Sequence, residues 1–108
     1  MTNNDEQFYL LRKIKTKPKA SQRDLAKELG ISLGKVNYIL NALKSKGFVK
    51  ARNFKKNPKK INYIYILTPK GLAEKTKLTI NFMKRKMEEY DELKKELTQE
   101  SKKKRNEK

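Results

Sequence analysis

The chain has 108 residues, a formal net charge of +17 and only 35% hydrophobic residues. So short a chain buries a limited share of its surface, so one small domain is expected, helped by a partner chain. It has no cysteine and no histidine, which excludes disulfides, Cys/His zinc sites, thiol chemistry and imidazole acid–base catalysis.

Residues Asn4–Lys15 read as a first helix. Asn3 or Asn4 caps it, and Asp5 and Glu6 stand where the helix dipole favours acids. Phe8, Leu11 and Ile14, with Tyr9 and Leu10, form its apolar side. Lys17-Pro18 ends it, because the residue before proline is pushed out of the helical region. Ser21-Gln22-Arg23-Asp24 opens a second helix with a capping-box pattern, Asp standing in for the usual Glu. Leu25, Ala26 and Leu29 give that helix its apolar face. Gly30 follows as a left-handed cap, Ile31 enters the core, and Ser32 caps a third helix. Val36, Ile39, Leu40 and Leu43 then recur at i, i+3, i+4 and i+7, and Gly47 stops the helix.

Phe48–Arg52 reads as a strand, Asn57-Pro58 as a turn, and Ile61–Leu67 as a second strand rich in Ile and Tyr. Together they make a hairpin around a basic tip. Thr68-Pro69 starts a last helix, with Thr as cap and Pro at the first helical position. No proline and one glycine interrupt the chain from there to Glu100, which predicts a helix about 45 Å long. The organisation is α+β, mainly α. Residues 4–69 are expected to form a winged helix-turn-helix domain, residues 70–100 one long helix that would serve dimerisation, and residues 101–108 a basic disordered tail.

Charge is distributed unevenly over this plan. Residues 29–73 contain ten Lys or Arg and no Asp or Glu, whereas residues 74–100 carry seven of each sign. The acid-free stretch covers the third helix and the hairpin, which suits a surface facing a polyanion. The third helix has a second face, made of Lys35, Asn37, Tyr38, Asn41 and Lys44, with Ser32 and Gly34 at its start. Asn37 and Asn41 can bond adenine bidentately, Lys35 can reach guanine, and Gly34 leaves room for close approach. Ser21, Gln22 and Arg23 stand at a helix start that can hold a phosphate, although capping alone accounts for Ser21. Lys55, Lys56, Lys59 and Lys60, with Arg52 further back, suit phosphate contact, which positions a protein without specifying sequence.

The long helix carries Leu72, Thr76, Ile80, Met83, Met87, Tyr90, Leu93 and Leu97 at spacings of three and four, a seam of coiled-coil type. Its near-zero net charge suits an element that meets protein. A second copy of the chain is the expected partner.

The strings SQRDLAKELGISLGKVNYILNALKSKGFVKARNF and YIYILTPKGL resemble the winged-helix regulators of the MarR family, most of all the small bacterial subgroup associated with exopolysaccharide gene clusters. The resemblance covers about residues 5–97. It implies a dimeric, sequence-specific double-stranded DNA-binding regulator. Repression is expected rather than activation, because blocking polymerase needs no extra contact surface, and no enzyme is expected, because no nucleophile–base or metal cluster can be assembled. Typical members carry two C-terminal helices in the dimer domain, whereas this chain offers one. No cofactor or metal is expected, an effector is left open, and with no apolar run near the ~20 residues of a membrane span and no signal peptide the expected location is cytoplasmic, at the nucleoid when bound. Two rival readings use the same residues: a protein that coats nucleic acid without sequence choice, and a winged helix that serves as a protein-interaction module.

Overall fold

The computed structural model describes residues 3–57 and 60–106, with side chains for 5–53 and 63–103. The elements in chain order are α1 (Asn3–Thr16), α2 (Gln22–Leu29), α3 (Leu33–Ser45), β1 (Val49–Asn57), β2 (Lys60–Leu67) and α4 (Pro69–Asn106). The chain divides into two compact units, Met1–Leu78 and Thr79–Lys108.

In the first unit, three short helices surround one apolar cluster. Leu10, Leu11 and Ile14 of α1 meet Leu25 and Ala26 of α2 and Val36, Ile39, Leu40 and Leu43 of α3, and Val49 and Tyr65 of the hairpin complete it. Each helix contributes a stripe at helical spacing, so burying the stripes packs the helices together. Leu29, Ile31, Phe48, Leu67 and Leu78 are partly buried against the same cluster.

Local chemistry sets the helix ends. The Ser21 hydroxyl accepts from Asp24 N–H, and the Asp24 carboxylate accepts from Ser21 N–H, both at 3.1 Å. This is the reciprocal capping box expected from the sequence. At the other end of α2, Gly30 adopts φ 68°, and Ile31 N–H reaches back to the Ala26 carbonyl. Gly47 ends α3 in the same left-handed way, with φ 77° and a bond from Phe48 N–H to the Leu43 carbonyl at 2.9 Å. Both arrangements satisfy carbonyls that a helix end leaves open.

The strands pair antiparallel, with Val49 opposite Leu67, Ala51 opposite Tyr65 and Asn53 opposite Tyr63, and the register shifts between Phe54 and Asn57. Both strands run further towards the turn than the sequence suggests. Pro58 of the expected turn lies outside the described residues. Tyr65 N–H donates to the Pro18 carbonyl at 3.2 Å, which ties β2 to the loop between α1 and α2.

Two results differ from the sequence expectation. Helix α4 continues to Asn106, so residues 101–106 are helical rather than a disordered tail. Its residues after Glu100 include Lys and Arg and no Gly or Pro, and Lys and Arg are good helix formers. The boundary between units falls after Leu78, not at residue 70. The start of α4 belongs to the winged unit because it is built into it. Thr68 N–H donates to the Phe48 carbonyl at 3.0 Å, the Thr68 hydroxyl donates to the Gly47 carbonyl at 2.5 Å, and the same oxygen accepts from Gly71 N–H at 3.0 Å. Gly71 is buried, and a Cβ there would stand 1.9 Å from the Phe48 carbonyl oxygen.

A further contact locates α3. Glu6 of α1 is only 4% exposed, and its carboxylate lies 2.6 Å from the Lys35 Nζ, which is 45% exposed. A buried carboxylate needs such a partner, so this pair joins α1 to the first turn of α3.

Two substitutions test these joints. Gly71→Ala forces the Phe48 backbone to move and should cost at least about 2 kcal/mol, read as a lower thermal midpoint by circular dichroism. Lys35→Met leaves the Glu6 charge without its partner and should cost about 1–3 kcal/mol in urea denaturation. The double variant Glu6→Gln/Lys35→Met should recover most of that loss; a double variant no more stable than Lys35→Met would show that the pair is not what holds the two helices.

Candidate nucleic-acid interface

The helices α2 and α3, with the turn Gly30-Ile31-Ser32 between them, form the core of the site. The Ser32 hydroxyl accepts from Lys35 N–H at 3.1 Å and so starts α3 immediately after the left-handed residue. Because Val36, Ile39, Leu40 and Leu43 are buried, the rotation of α3 about its axis is set. Its opposite face presents Lys35, Asn37, Tyr38, Asn41 and Lys44 to solvent. Tyr38 is 75% exposed, far more than a tyrosine that serves packing alone. Gly34 has open space where a side chain would be.

The face is not a row of independent side chains. Gln22 Nε2 donates to the Tyr65 hydroxyl at 3.0 Å. Asn37 Nδ2 donates to Gln22 Oε1 at 3.2 Å. Asn41 Nδ2 donates to Asn37 Oδ1 at 3.0 Å. Gln22, expected from sequence as a phosphate contact, is therefore bonded inward. Lys35, expected to reach guanine, is paired with Glu6.

The other expected positions fall as follows. Ser21 caps α2, and Arg23 is exposed one position inside the helix. The Asp24 carboxyl is held below the usual carboxylate range by hydrogen bonds from Ser21, chiefly the backbone one. The cap is therefore strongest above the ordinary aspartate pKa and weakens as pH falls through the lowered value. Arg52 is exposed on β1, opposite Ile64. Lys55 and Lys56 lie on β1 and Lys60 on β2 by backbone, with their side chains, and Lys59 altogether, outside the described residues. Of the expected dimer positions, Leu72 lies in the first unit and Ile80, Met83, Met87, Tyr90, Leu93 and Leu97 in the second. All seven are exposed.

The sequence reading passed over two residues. Leu33 falls three positions before Val36, so its spacing places it on the buried stripe, yet it is 42% exposed. It occupies the first position of α3, where the core cluster does not extend. Tyr65 reads as a strand aromatic. Nothing in its spacing shows that its hydroxyl meets Gln22, 43 residues away.

Residues 10–50 match the family model for winged helix-turn-helix DNA-binding domains. No curated protein matches the chain closely. Several solved structures are similar to it in fold. A point mutant of S. aureus MepR is 22% identical, with a TM-score of 0.67 over 92% of this chain and 77% of its own. The PcaV transcriptional regulator from Streptomyces coelicolor, in complex with its natural ligand, is 17% identical, with a TM-score of 0.66 over 78% of this chain. A mutant of E. coli MarR complexed with operator DNA is 26% identical, with a TM-score of 0.57 over 67% of this chain. This chain spans 57% of the PcaV chain and 50% of the E. coli MarR chain. The architecture and these similarities together place a winged helix-turn-helix domain at the start of the chain, followed by a long C-terminal helix, in the fold of MarR-family transcription regulators.

Proposed function

We propose that the chain is a sequence-specific double-stranded DNA-binding transcriptional regulator that acts as a homodimer. The observation that carries this reading is the two-faced third helix. Its apolar stripe is locked in the core, and its exposed face is polar, without a carboxylate, and flanked by a basic hairpin. An α-helix presented in this way fits the major groove. The likeness to a MarR protein complexed with operator DNA supports the same orientation. Asn37 and Asn41 are the base-reading residues, Tyr38 and Lys44 flank them, and Ser32 and Gly34 permit close approach. Arg23, Arg52 and the hairpin lysines contact phosphates. Lys35 chiefly holds α3 on α1.

The dimer follows from α4. Ile80, Met83, Met87, Tyr90, Leu93 and Leu97 are exposed at spacings of three and four along one helix. A stripe of that size on a helix of zero net charge between residues 74 and 100 needs an apolar cover. A second copy supplies an identical stripe, and two-fold symmetry makes it self-complementary. The two recognition helices would then read a roughly symmetric operator, and α4 would set the spacing of its half-sites. Occupancy of a promoter is enough for repression, which needs no additional contact surface and no catalysis. The finer resemblance, to the subgroup associated with exopolysaccharide gene clusters, rests on the quoted sequence strings and would place the regulated genes there.

Three measurements test this. Duplex binding should weaken steeply between about 50 and 200 mM salt, and no binding at the lower end would sink the reading. Asn37→Ala and Asn41→Ala should each cost about 1–3 kcal/mol at the preferred site and little on random duplex; equal losses on both would leave only a coating protein. Removal of residues 82–108 should give a monomer in sedimentation, and a truncated chain that stays dimeric would refute the seam.

A further inference from the structure

We propose that Gln22 is a positioning residue for base reading: it fixes which edge of the Asn37 carboxamide, and through it that of Asn41, faces outward, with the Tyr65 hydroxyl as its anchor. The proposal rests on the DNA-binding reading above and adds a specificity device to it.

An asparagine on an exposed helix face has a difficulty as a base reader. Its terminal torsion is soft, and its oxygen and nitrogen ends are similar in size but opposite in hydrogen-bonding sense. Adenine is read only when the amide oxygen accepts from N6 while the nitrogen donates to N7. A freely turning amide spends time in the wrong orientation and must be ordered on binding, which weakens discrimination.

The chain Tyr65–Gln22–Asn37–Asn41 restrains that freedom, with each amide nitrogen donating towards Tyr65. Tyr65 is 5% exposed and packed in the core, and its backbone N–H is held by Pro18, so its hydroxyl is a fixed point. Gln22, half-buried at the first position of α2, spends its Nε2 on that hydroxyl. Its Oε1 is thereby turned towards Asn37 and accepts from Nδ2. Asn37 Oδ1 in turn accepts from Asn41 Nδ2, one helical turn on. Among the described residues the ladder leaves Asn41 Oδ1 unused, together with the second hydrogen of its Nδ2, which is the acceptor–donor pair that adenine requires. Hydrogen-bonded amides in series also polarise one another in this sense. Because Tyr65 belongs to the hairpin, the seating of the wing and the orientation of the reading amides are coupled through three hydrogen bonds.

The test starts from the duplex that the full-length protein selects from a random library, with the A·T pair lost on Asn37→Ala or Asn41→Ala identified by competition. Gln22→Met keeps the length of the side chain and removes both polar atoms. Tyr65→Phe removes only the anchor. Both should lower the preference for that A·T pair about tenfold and leave affinity for random duplex unchanged. Gln22→Glu is the rescue: its carboxylate accepts from both Asn37 and the Tyr65 hydroxyl, so the preference should persist while affinity for all duplexes falls with the added negative charge. Full preference in Gln22→Met, or equal loss on selected and random duplex, would overturn the proposal and return Gln22 to the phosphate contacts. No selected sequence at all from the unmodified protein would instead overturn the regulator reading and this inference with it.

Discussion

The buried stripe of α3 is the contact on which the other features depend. Val36, Ile39, Leu40 and Leu43 fill the space between α1, α2 and the hairpin. Interiors of this kind are close-packed, so the stripe has one seating. The seating fixes the rotation of the helix and therefore which residues face out. A looser core would present the same residues at a range of angles, and a helix proposed to read a groove needs one. The Glu6–Lys35 pair and the Ser32 cap restrain the first turn in the same sense, one from α1 and one from the turn.

Polar contacts extend that rigidity outward to the site. A solvent-facing amide ordinarily gains little from a hydrogen bond, since water competes for each partner. The ladder from Tyr65 to Asn41 differs because its first member is in the core. Order is passed from a buried ring through Gln22 to two exposed asparagines. This also connects the hairpin to α3 through side-chain hydrogen bonds. The start of α4 is joined to the same unit by Thr68 and Gly71, where a helix begins directly against the Phe48 backbone.

Much of this architecture was legible in the chain. The capping box Ser21/Asp24, the left-handed Gly30, the stop at Gly47, the cap Ser32 and the stripes of α1–α3 are local signals, each carried within one or two helical turns. The hairpin and the long uninterrupted helix were legible for the same reason. Helix α4 ran further than expected because a lysine-rich end reads as fray by charge, while its helix propensity is high.

The sequence by itself determined the order of elements, the two-faced third helix and the acid-free, basic stretch that runs from it through the hairpin, because these depend on neighbours in the chain. Only the tertiary structure decided what the charged and polar residues touch. It paired Lys35 with Glu6 across 29 positions and turned Gln22 inward to Tyr65 across 43. It also placed Gly71 against the Phe48 carbonyl. Such contacts join residues remote in sequence, and no period or spacing encodes them. They arise when packing brings the elements together, and burial then makes an unpaired polar group costly.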